Sequence, residues 1–300
     1  MKCSRCRELA EIALPSHHAG FCRPCFLEYF SRQVDKAVRG RRMFGRQDRI
    51  LVALSGGKDS LALLRELRHQ GYDVSGLFVD LAIPGSSDAA RAAVEGFCAG
   101  LGAPLLVADM AAEGLPIPLV KERVRRPICS VCGKIKRHYF NRAALEGGFT
   151  VLATGHNLDD EVGRLFANVL RWDAAYLSDT GPVLPAENGF ARKVKPLCRL
   201  TEFETAAYCF FHDIPHHSAP CPYSGGASFT VRKQLMNGLE KESPGSKLAF
   251  YEGFLERARP AFAALEQERG AALAPCVECG CPTSAELCGV CRLRRQVRAE

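Results

Sequence analysis

The segment from residue 50 to residue 60, ILVALSGGKDS, constrains the fold more than any other part of the chain. Five apolar or small residues predict a buried strand, and the apolar pattern after the glycine pair predicts a helix. Gly56 and Gly57 let the backbone approach a ligand closely, and the free N–H groups at the helix start would point at that ligand. With Lys58 they predict an anion site that suits phosphate. The alternative is a Gly-Gly turn capped by Asp59 or Ser60, and a Walker A loop does not fit.

Strand and helix patterns alternate regularly after this segment. Runs of this kind predict an α/β fold with a parallel sheet flanked by helices, in which ligands bind beyond the carboxyl ends of the strands. Three segments fall at such ends, and we expect them to converge: SGGKDS, the pair Val79-Asp80, and GHNLDDE from residue 155. The predicted strands are 50–54, 73–80, 104–109 and 150–155, and the predicted helices are 60–70, 87–101, 133–146, 158–171, 201–213 and 228–268, the last broken at Pro244-Gly245.

An acidic run follows the strand at 150–155. Asp159, Asp160 and Glu161 come after His156-Asn157 at a helix start. Capping explains part of this pattern, because acidic residues are favoured in the first turn of a helix. The position at the carboxyl edge of the sheet favours a magnesium or catalytic role instead.

The cysteine content predicts bound metal. The chain has fifteen cysteines, and ten of them form five C-x-x-C pairs. The sequence contains no run of 18 apolar residues and no charged-then-apolar leader, so we expect a cytoplasmic protein without a membrane span. Disulfides are rare in that compartment, and metal ligation is the leading explanation.

Two sets of paired cysteines have the spacing of four-thiolate zinc sites. A redox dithiol needs only one C-x-x-C and leaves the second pair of each set unexplained. Each zinc ion would stabilise a small lobe that buries too little surface by itself. The two predicted ligand sets are Cys3, Cys6, Cys22 and Cys25, and Cys276, Cys279, Cys288 and Cys291.

The fifth pair, Cys129 and Cys132, has no second pair nearby and needs a partner from elsewhere. Cys221, on a proline-flanked loop, is the best candidate. Cys281 lies beside Cys279 and is either a mere neighbour or an alternative ligand. The remaining cysteines at 98, 198 and 209 have apolar or aromatic neighbours typical of buried residues.

Positive charge is concentrated in two zones. Residues 1–49 carry eleven Lys/Arg against five Asp/Glu, and residues 121–142 carry eight against one, in a chain of net charge +7. A charge run is more often a solvated face than a binding site, but zones that flank cysteine motifs favour a polyanion such as RNA. The helix predicted at 26–49 is therefore either a linker or an RNA-facing element.

These motifs occur in one order: a zinc lobe, SGGKDS, CSVCGKIKR, TGHNLDDE with APCP, and a second zinc lobe. In this order they resemble the tRNA 2-thiouridine synthetase family, the PP-loop enzymes with five C-x-x-C pairs found among bacterial and archaeal tRNA thiolases and the eukaryotic cytosolic thiolation subunit. The resemblance covers nearly the whole chain. It implies a PP-loop, adenine nucleotide alpha hydrolase-like fold and ATP-dependent thiolation of a tRNA uridine at C2.

The resemblance also implies the site residues. Cys129, Cys132 and Cys221 would hold a [4Fe–4S] cluster with one iron free of protein ligands. Lys136, Asp160 and Asp59 would be catalytic, with Mg²⁺ beside Asp160. The ATP site would comprise Ala53, Ser55, Gly56, Gly57, Lys58, Asp59, Ser60, Val79, Asp80 and Gly155.

The reaction implied begins with attack of the uracil C2 oxygen on the α-phosphate of ATP, which releases pyrophosphate. Sulfur then attacks C2, and AMP leaves. Family members can receive sulfur from a ubiquitin-like thiocarboxylate carrier, and we expect a homodimer. The identity of the uridine is left open. Two alternatives remain: a PP-loop adenylating enzyme for another tRNA base or a small molecule, and a zinc-dependent RNA-binding scaffold with a vestigial ATP site.

The expected domains follow from these assignments. They are an N-terminal zinc lobe at 1–30, a basic linker helix at 31–49, the PP-loop catalytic domain at 50–215, a helical extension carrying the third cluster cysteine at 216–269, and a C-terminal zinc lobe at 270–300.

Overall fold

A six-stranded sheet lies at the centre of the computed structural model, which describes residues 1–224, 228–267 and 273–298. The predicted α/β fold is confirmed: among the described strands of this sheet four pairs are parallel, and one pair, at an edge, is antiparallel. The order across the sheet is β5-β4-β3-β6-β8-β7. The strands are β3 Arg49–Leu54, β4 Asp73–Asp80, β5 Leu105–Asp109, β6 Val151–Thr154, β7 Val183–Leu184 and β8 Lys193–Val194.

The central strand β3 has β4 on one side and β6 on the other. Its residues 50–54 are buried, as the continuous apolar run predicts for a strand covered on both faces. Because the chain winds to opposite sides of β3, a crevice forms at the carboxyl ends of these strands, where open α/β sheets bind ligands. Two of the three predicted site segments, SGGKDS and GHNLDDE, follow β3 and β6.

Helices cover both faces of the sheet and continue beyond it. They are α1 Arg23–Gly40, α2 Lys58–His69, α3 Ser86–Leu101, α4 Ile117–Arg123, α5 Ile128–Glu146, α6 Leu158–Val169, α7 Ala174–Ser178, α8 Glu202–Phe211, α9 Ser228–Glu242, α10 Ser246–Gly253, a π-helical turn Phe254–Ala258, α11 Arg259–Gln267 and α12 Gly289–Arg298.

Two helices begin three or more residues earlier than the sequence predicts, and in both cases a proline lies at the start. Helix α1 begins at Arg23, with Pro24 in its first turn, and ends at Gly40 rather than at residue 49. Helix α5 begins at Ile128 after Pro127, rather than at residue 133. Proline is favoured there because the first N–H groups of a helix have no intrahelical partner. Cys129 and Cys132 therefore lie at the start of α5 rather than before it.

Each terminal cysteine set lies in a small lobe with a two-stranded hairpin. The N-terminal hairpin pairs β1 Ile12–Leu14 with β2 Ala19–Phe21, and the C-terminal one pairs β9 Ala274–Pro275 with β10 Pro282–Thr283. Phe30 of α1 stacks on Tyr208 of α8 with ring centroids 4.0 Å apart. The C-terminal lobe packs on α4 and α5 through a separate apolar cluster. The division expected between residues 269 and 270 lies outside the described residues.

Among the described residues, no helix combines the length and apolar character needed to cross a membrane.

Candidate functional site

A cavity of about 670 Å³ lies at the carboxyl ends of β3, β4 and β6. It brings together residues from all three segments expected to converge, together with the fifth cysteine pair and the loop that carries Cys221. The predicted site residues among its lining are Ala53, Ser55, Gly57, Asp59, Ser60, Val79, Cys129, Cys132, Lys136, Gly155, Asp160 and Cys221.

The turn after β3 exposes the start of α2 to this cavity. Gly56 has φ +80°, a conformation that favours glycine, and a Cβ there would approach Ala90 to 3.0 Å. The hydroxyl of Ser60 accepts from the Ser55 N–H at 3.2 Å and donates to the Gly57 carbonyl at 3.0 Å, which holds the turn closed. Gly57 is the N-cap and provides no side-chain cap, so first-turn N–H groups are left for an anion.

Lys58 takes a different position from the one that the motif suggests. Its Nζ lies 2.9 Å from Oε1 of Glu202 and 3.2 Å from Oδ2 of Asp59, and within the described ranges it is not part of the cavity lining. Burial raises the pKa of Asp59, although Lys58 and a hydrogen bond from Asn157 Nδ2 at 3.1 Å oppose this shift. The structure thus places a partly desolvated carboxyl beside the anion-binding turn.

The two residues at the end of β4 face different surroundings. Val79 lines the cavity, whereas Asp80 is buried and outside the lining, as far as the described residues show. Asp80 Oδ1 accepts from the Ala82 N–H at 2.9 Å, and Oδ2 lies 3.5 Å from Arg91 Nη1. These contacts hold the turn after the strand.

The acidic run at the start of α6 divides into three separate roles. Asp159 is buried, forms an ion pair with Lys247, and accepts from the Glu202 N–H at 2.7 Å. Glu161 is buried and pairs with Lys195 at 2.6 Å. Of the three, only Asp160 lines the cavity. It also completes a capping box with Asn157. Asp160 therefore both caps α6 and lies at the cavity.

Asp160 is linked to the turn after β3 by a chain of ion pairs. Lys233 of α9 lies 2.6 Å from Asp160 Oδ1 and 3.1 Å from Glu202 Oε2, and Glu202 contacts Lys58. Burial would raise the pKa of Glu202, but the two lysines outweigh it and lower that pKa to about 2. Glu202 is therefore charged at neutral pH and pairs with both lysines.

The three cysteines predicted to bind a cluster line the same cavity as the turn after β3. Cys129 and Cys132 lie at the start of α5, and Lys136 follows Cys132 by one turn on the same side. The Cys129 Sγ lies 3.6 Å from the Tyr223 carbonyl, which holds the Cys221 loop close to α5. Burial raises the pKa of Cys132, and the charge of Lys136 partly offsets this.

The spacing of these three sulfurs does not suit a single ion. Among the described residues, they are not one of the groups whose ligand atoms all lie within 4.8 Å of one another. In an iron–sulfur cluster each thiolate binds a different iron, so its cysteines must be further apart than the ligands of one ion.

The cavity lining also contains cationic and histidine side chains that were not predicted from the sequence. Arg137, Arg164 and Lys193 add positive charge, and His217 lies beside the Cys221 loop. Burial, followed by the charges of Lys195, Arg164 and Arg137, lowers the pKa of Lys193 to about 8. Only their positions relative to the site segments could have indicated these residues. Lys193 lies on β8, next to β6, and Arg164 lies on α6, the helix that follows β6.

His217 links the Cys221 loop to the turn after β3. Its backbone N–H donates to the Gly56 carbonyl at 2.8 Å, while its Nε2 is buried without a hydrogen-bond partner among the described residues. His156, also at the cavity, lies 2.8 Å from the Thr154 hydroxyl through Nδ1. Burial and neighbouring cations lower the pKa of His156 well below its usual value. His156 is therefore neutral and adds no charge to the cavity.

Each terminal set of four cysteines brings its sulfur atoms within 4.8 Å of one another, a spacing that suits one tetrahedral ion. In both lobes the residue after the second cysteine has positive φ, Arg7 at 69° and Gly280 at 70°, and donates its N–H to the carbonyl of the first cysteine. Backbone N–H groups, that of Cys6 foremost, lower the pKa of Cys3 to about 6.

Comparison with known proteins gives consistent matches. A PP-loop domain family matches residues 27–220, and the N-terminal LIM domain of the 2-thiouridine synthetase TtuA matches residues 2–27. The tRNA-5-methyluridine(54) 2-sulfurtransferase of Thermotoga maritima is 39% identical and covers 99% of this chain and 97% of its own. The protein of the same name from Thermus thermophilus is 39% identical, covering 98% and 91%.

A solved structure shares the fold. The U34-tRNA thiolase NcsA of Methanococcus maripaludis, determined with its [4Fe–4S] cluster, superposes with a TM-score of 0.77 at 27% identity. The match covers 85% of this chain and 87% of the thiolase.

Proposed function

The chain belongs to the PP-loop family of tRNA 2-thiouridine synthetases, and from this we propose that it is an ATP-dependent tRNA sulfurtransferase that replaces the C2 oxygen of a uridine with sulfur. Its substrate is the 5-methyluridine at position 54, the base named for the two relatives that are 39% identical. The alternative, position 34, is the one named for the structural relative of lower identity.

One observation carries this proposal: the turn after β3 and the three cysteines Cys129, Cys132 and Cys221 line one cavity. Adenylation and sulfur transfer must act on the same carbon and its oxygen, so the two chemistries have to meet in one place. An RNA-binding scaffold with a vestigial nucleotide site would not need this arrangement.

ATP binds with its phosphates at the start of α2. The free N–H groups in the first turn of α2 hold the phosphates beside Ser55, Gly57 and Ser60, and Lys58 and Gly56 support the turn from outside the cavity. Ala53, Val79 and Gly155 provide the walls for the nucleoside, with Asp80 supporting Val79 through the turn it holds. The uracil C2 oxygen attacks the α-phosphorus, the bond to the bridging oxygen breaks, and pyrophosphate leaves.

Lys136 and Asp160 carry the polar chemistry. Lys136 places its positive charge in the cavity, where it stabilises the charge that develops on the α-phosphate. Asp160 orients Mg²⁺ or the reacting base, and Asp59 supports Asp160 through Asn157. Sulfur replaces the activated oxygen at C2, and AMP departs with that oxygen.

The donor sets fit the metals that the family implies. Three thiolates in the catalytic cavity suit a [4Fe–4S] cluster that leaves one iron open, and such a cluster would supply the binding position for the transferred sulfur. Each terminal set of four sulfurs suits a structural Zn²⁺ ion that stabilises its lobe. The five expected domains, from the N-terminal zinc lobe at 1–30 to the C-terminal zinc lobe at 270–300, are part of this proposal.

The partners follow from charge and chemistry. The exposed arginines Arg125 and Arg126 immediately precede α5 and face the tRNA. A ubiquitin-like thiocarboxylate carrier delivers sulfur in the cytoplasm, and the enzyme acts as a homodimer.

Anaerobic reconstitution tests the function. Protein with a rebuilt cluster is mixed with ATP, Mg²⁺, sulfide and tRNA, and both pyrophosphate release and thiolated nucleosides are measured. We expect 2-thio-5-methyluridine from tRNA that carries 5-methyluridine 54, and none from a matched transcript with cytidine 54. A 2-thiolated base at position 34 would show that the substrate is the uridine at position 34 rather than at position 54. Turnover stimulated by another base or a small molecule would indicate a different adenylating enzyme, and tRNA binding without pyrophosphate release would indicate a scaffold.

A further inference from the structure

A histidine of the helix that carries Cys129 and Cys132 meets two cysteines of the C-terminal lobe. A ring nitrogen of His138 and the sulfur atoms of Cys279 and Cys281 all lie within 4.8 Å of one another. We propose that these three residues form a further zinc position, with Cys279 bridging it to the four-cysteine site. The proposal rests on the zinc ion proposed for that four-cysteine site.

The two ligand sets overlap in one residue only. Cys279 belongs both to the set of four and to the set of three, but His138 and Cys281 are not part of the set of four. A fifth thiol that merely replaced Cys279 at the same ion would be expected to lie within reach of the other three cysteines. The overlap instead describes two adjacent positions that share one sulfur, whose lone pairs can bind two ions.

The local backbone places Cys281 on the side of Cys279 that faces α5. Gly280 has φ +70° and donates its N–H to the Cys276 carbonyl at 2.8 Å, while the Cys276 N–H donates to the Cys281 carbonyl at 2.9 Å. The chain therefore reverses directly after Cys279. Imidazole nitrogen and thiolate sulfur are the donors that Zn²⁺ prefers.

Packing of α12 against α5 brings His138 to this turn. Arg294 of α12 donates to the Tyr139 hydroxyl at 2.8 Å, and the side chain of Lys134 lies close to Gly289. His138, Cys279 and Cys281 are all partly exposed, so water can complete the tetrahedron. The two arginines near His138, Arg142 and Arg294, are both paired with Glu113, which reduces their repulsion of a cation.

An ion at this position would connect the C-terminal lobe to the catalytic helix. His138 lies two residues after Lys136 on α5, and Cys281 belongs to the lobe. The metal would thus fix the orientation of the helix that carries Cys129 and Cys132 relative to the lobe.

Zinc content of the full chain tests the proposal. Protein is purified anaerobically with its cluster rebuilt, so that iron occupies Cys129, Cys132 and Cys221, then equilibrated with zinc and desalted. We expect three zinc ions per chain in the wild type, two in His138→Ala and Cys281→Ser, and three in the matched surface control His69→Ala. Replacement of zinc by ¹¹³Cd should give a cadmium–cadmium coupling through the shared sulfur, which both variants remove.

The outcomes separate this inference from the proposed function. Two zinc ions in the wild type and both variants would overturn the further position and leave the two four-cysteine sites intact. Three ions without cadmium–cadmium coupling would overturn the shared sulfur. Fewer than two ions in the wild type would overturn the zinc sites of the proposed function as well.

Discussion

The Nζ atom of Lys233 lies 2.6 Å from Oδ1 of Asp160, so a helix beyond the sheet contacts the carboxylate expected to act in catalysis. The same amine reaches Glu202, which holds Lys58 beside the turn after β3. These ion pairs join four segments that are far apart in the sequence. They place Asp160 in a defined orientation at the edge of the cavity.

Asp160→Asn should lower the catalytic rate without destabilising the fold. The amide keeps the size of the side chain but loses its charge, so turnover should fall by at least about 100-fold, in the range for loss of a catalytic acid–base group. The melting temperature should change little. Pyrophosphate release and thermal unfolding measure the two effects, and wild-type turnover in the variant would remove Asp160 from the catalytic residues.

Asp159→Ala is the matched control from the same acidic run. It removes the carboxylate that pairs with the buried ammonium of Lys247 and leaves only the amide oxygen of Asn237, which should lower the free energy of unfolding by about 3–5 kcal/mol. Urea denaturation measures this change. An Asp159→Ala protein as stable as the wild type would contradict the structural role assigned to the pair.

Cys221→Ala should abolish thiolation and the brown absorbance of the anaerobic protein, because two thiolates remain where three are needed. Zinc bound to the terminal lobes should be unaffected. Cys98→Ala, at a buried cysteine on α3 away from the cavity, should retain both absorbance and activity. Equal iron and sulfide contents in Cys221→Ala and wild type would exclude Cys221 as a ligand.

We expect Lys193 to set an alkaline limit on the activity. Its pKa is lowered to about 8, so the side chain is protonated at neutral pH and loses its charge as the pH rises through 8. The attraction for phosphate should weaken in the same interval, and kcat/KM for ATP should fall above pH 8. Lys193→Met should lower kcat/KM at pH 7 by about tenfold, or roughly 1.4 kcal/mol.

Lys193→Arg provides the control, because the guanidinium remains charged throughout this range. The nucleobase also titrates in alkaline solution, and comparison with this variant isolates the lysine. If Lys193→Arg declined with the same midpoint as the wild type, Lys193 would not be the source of the limit.

The double variant Arg125→Ala/Arg126→Ala tests the RNA surface. Both side chains are exposed next to α5, and loss of two phosphate contacts should reduce the slope of log affinity against log salt by about 2. Filter binding of tRNA at several salt concentrations measures the slope. Arg32→Ala/Arg39→Ala on α1 is the matched pair, and an effect confined to that pair would move the RNA surface to the N-terminal helix.

Local patterns predicted the sheet and the convergence of its motifs, because strand ends and glycine turns depend on neighbouring residues. They did not predict that the acidic run divides, with Asp159 and Glu161 buried against Lys247 of α10 and Lys195 directly after β8. Nor did they predict that Lys58 would pair with Glu202, 144 residues away. Such contacts depend on how distant helices pack, and a short motif carries no information about that packing.

The end of β6 limits how this enzyme could be redesigned. A Cβ at Gly155 would lie 2.8 Å from backbone atoms of Asp59 and Ser60, which no rotamer change can relieve. The backbone after β6 is therefore in direct contact with the start of α2. Mutant libraries designed to bind another nucleotide would have to leave position 155 unchanged. Variation at Val79, on the opposite side of β3, offers a route to altered base preference that preserves this contact.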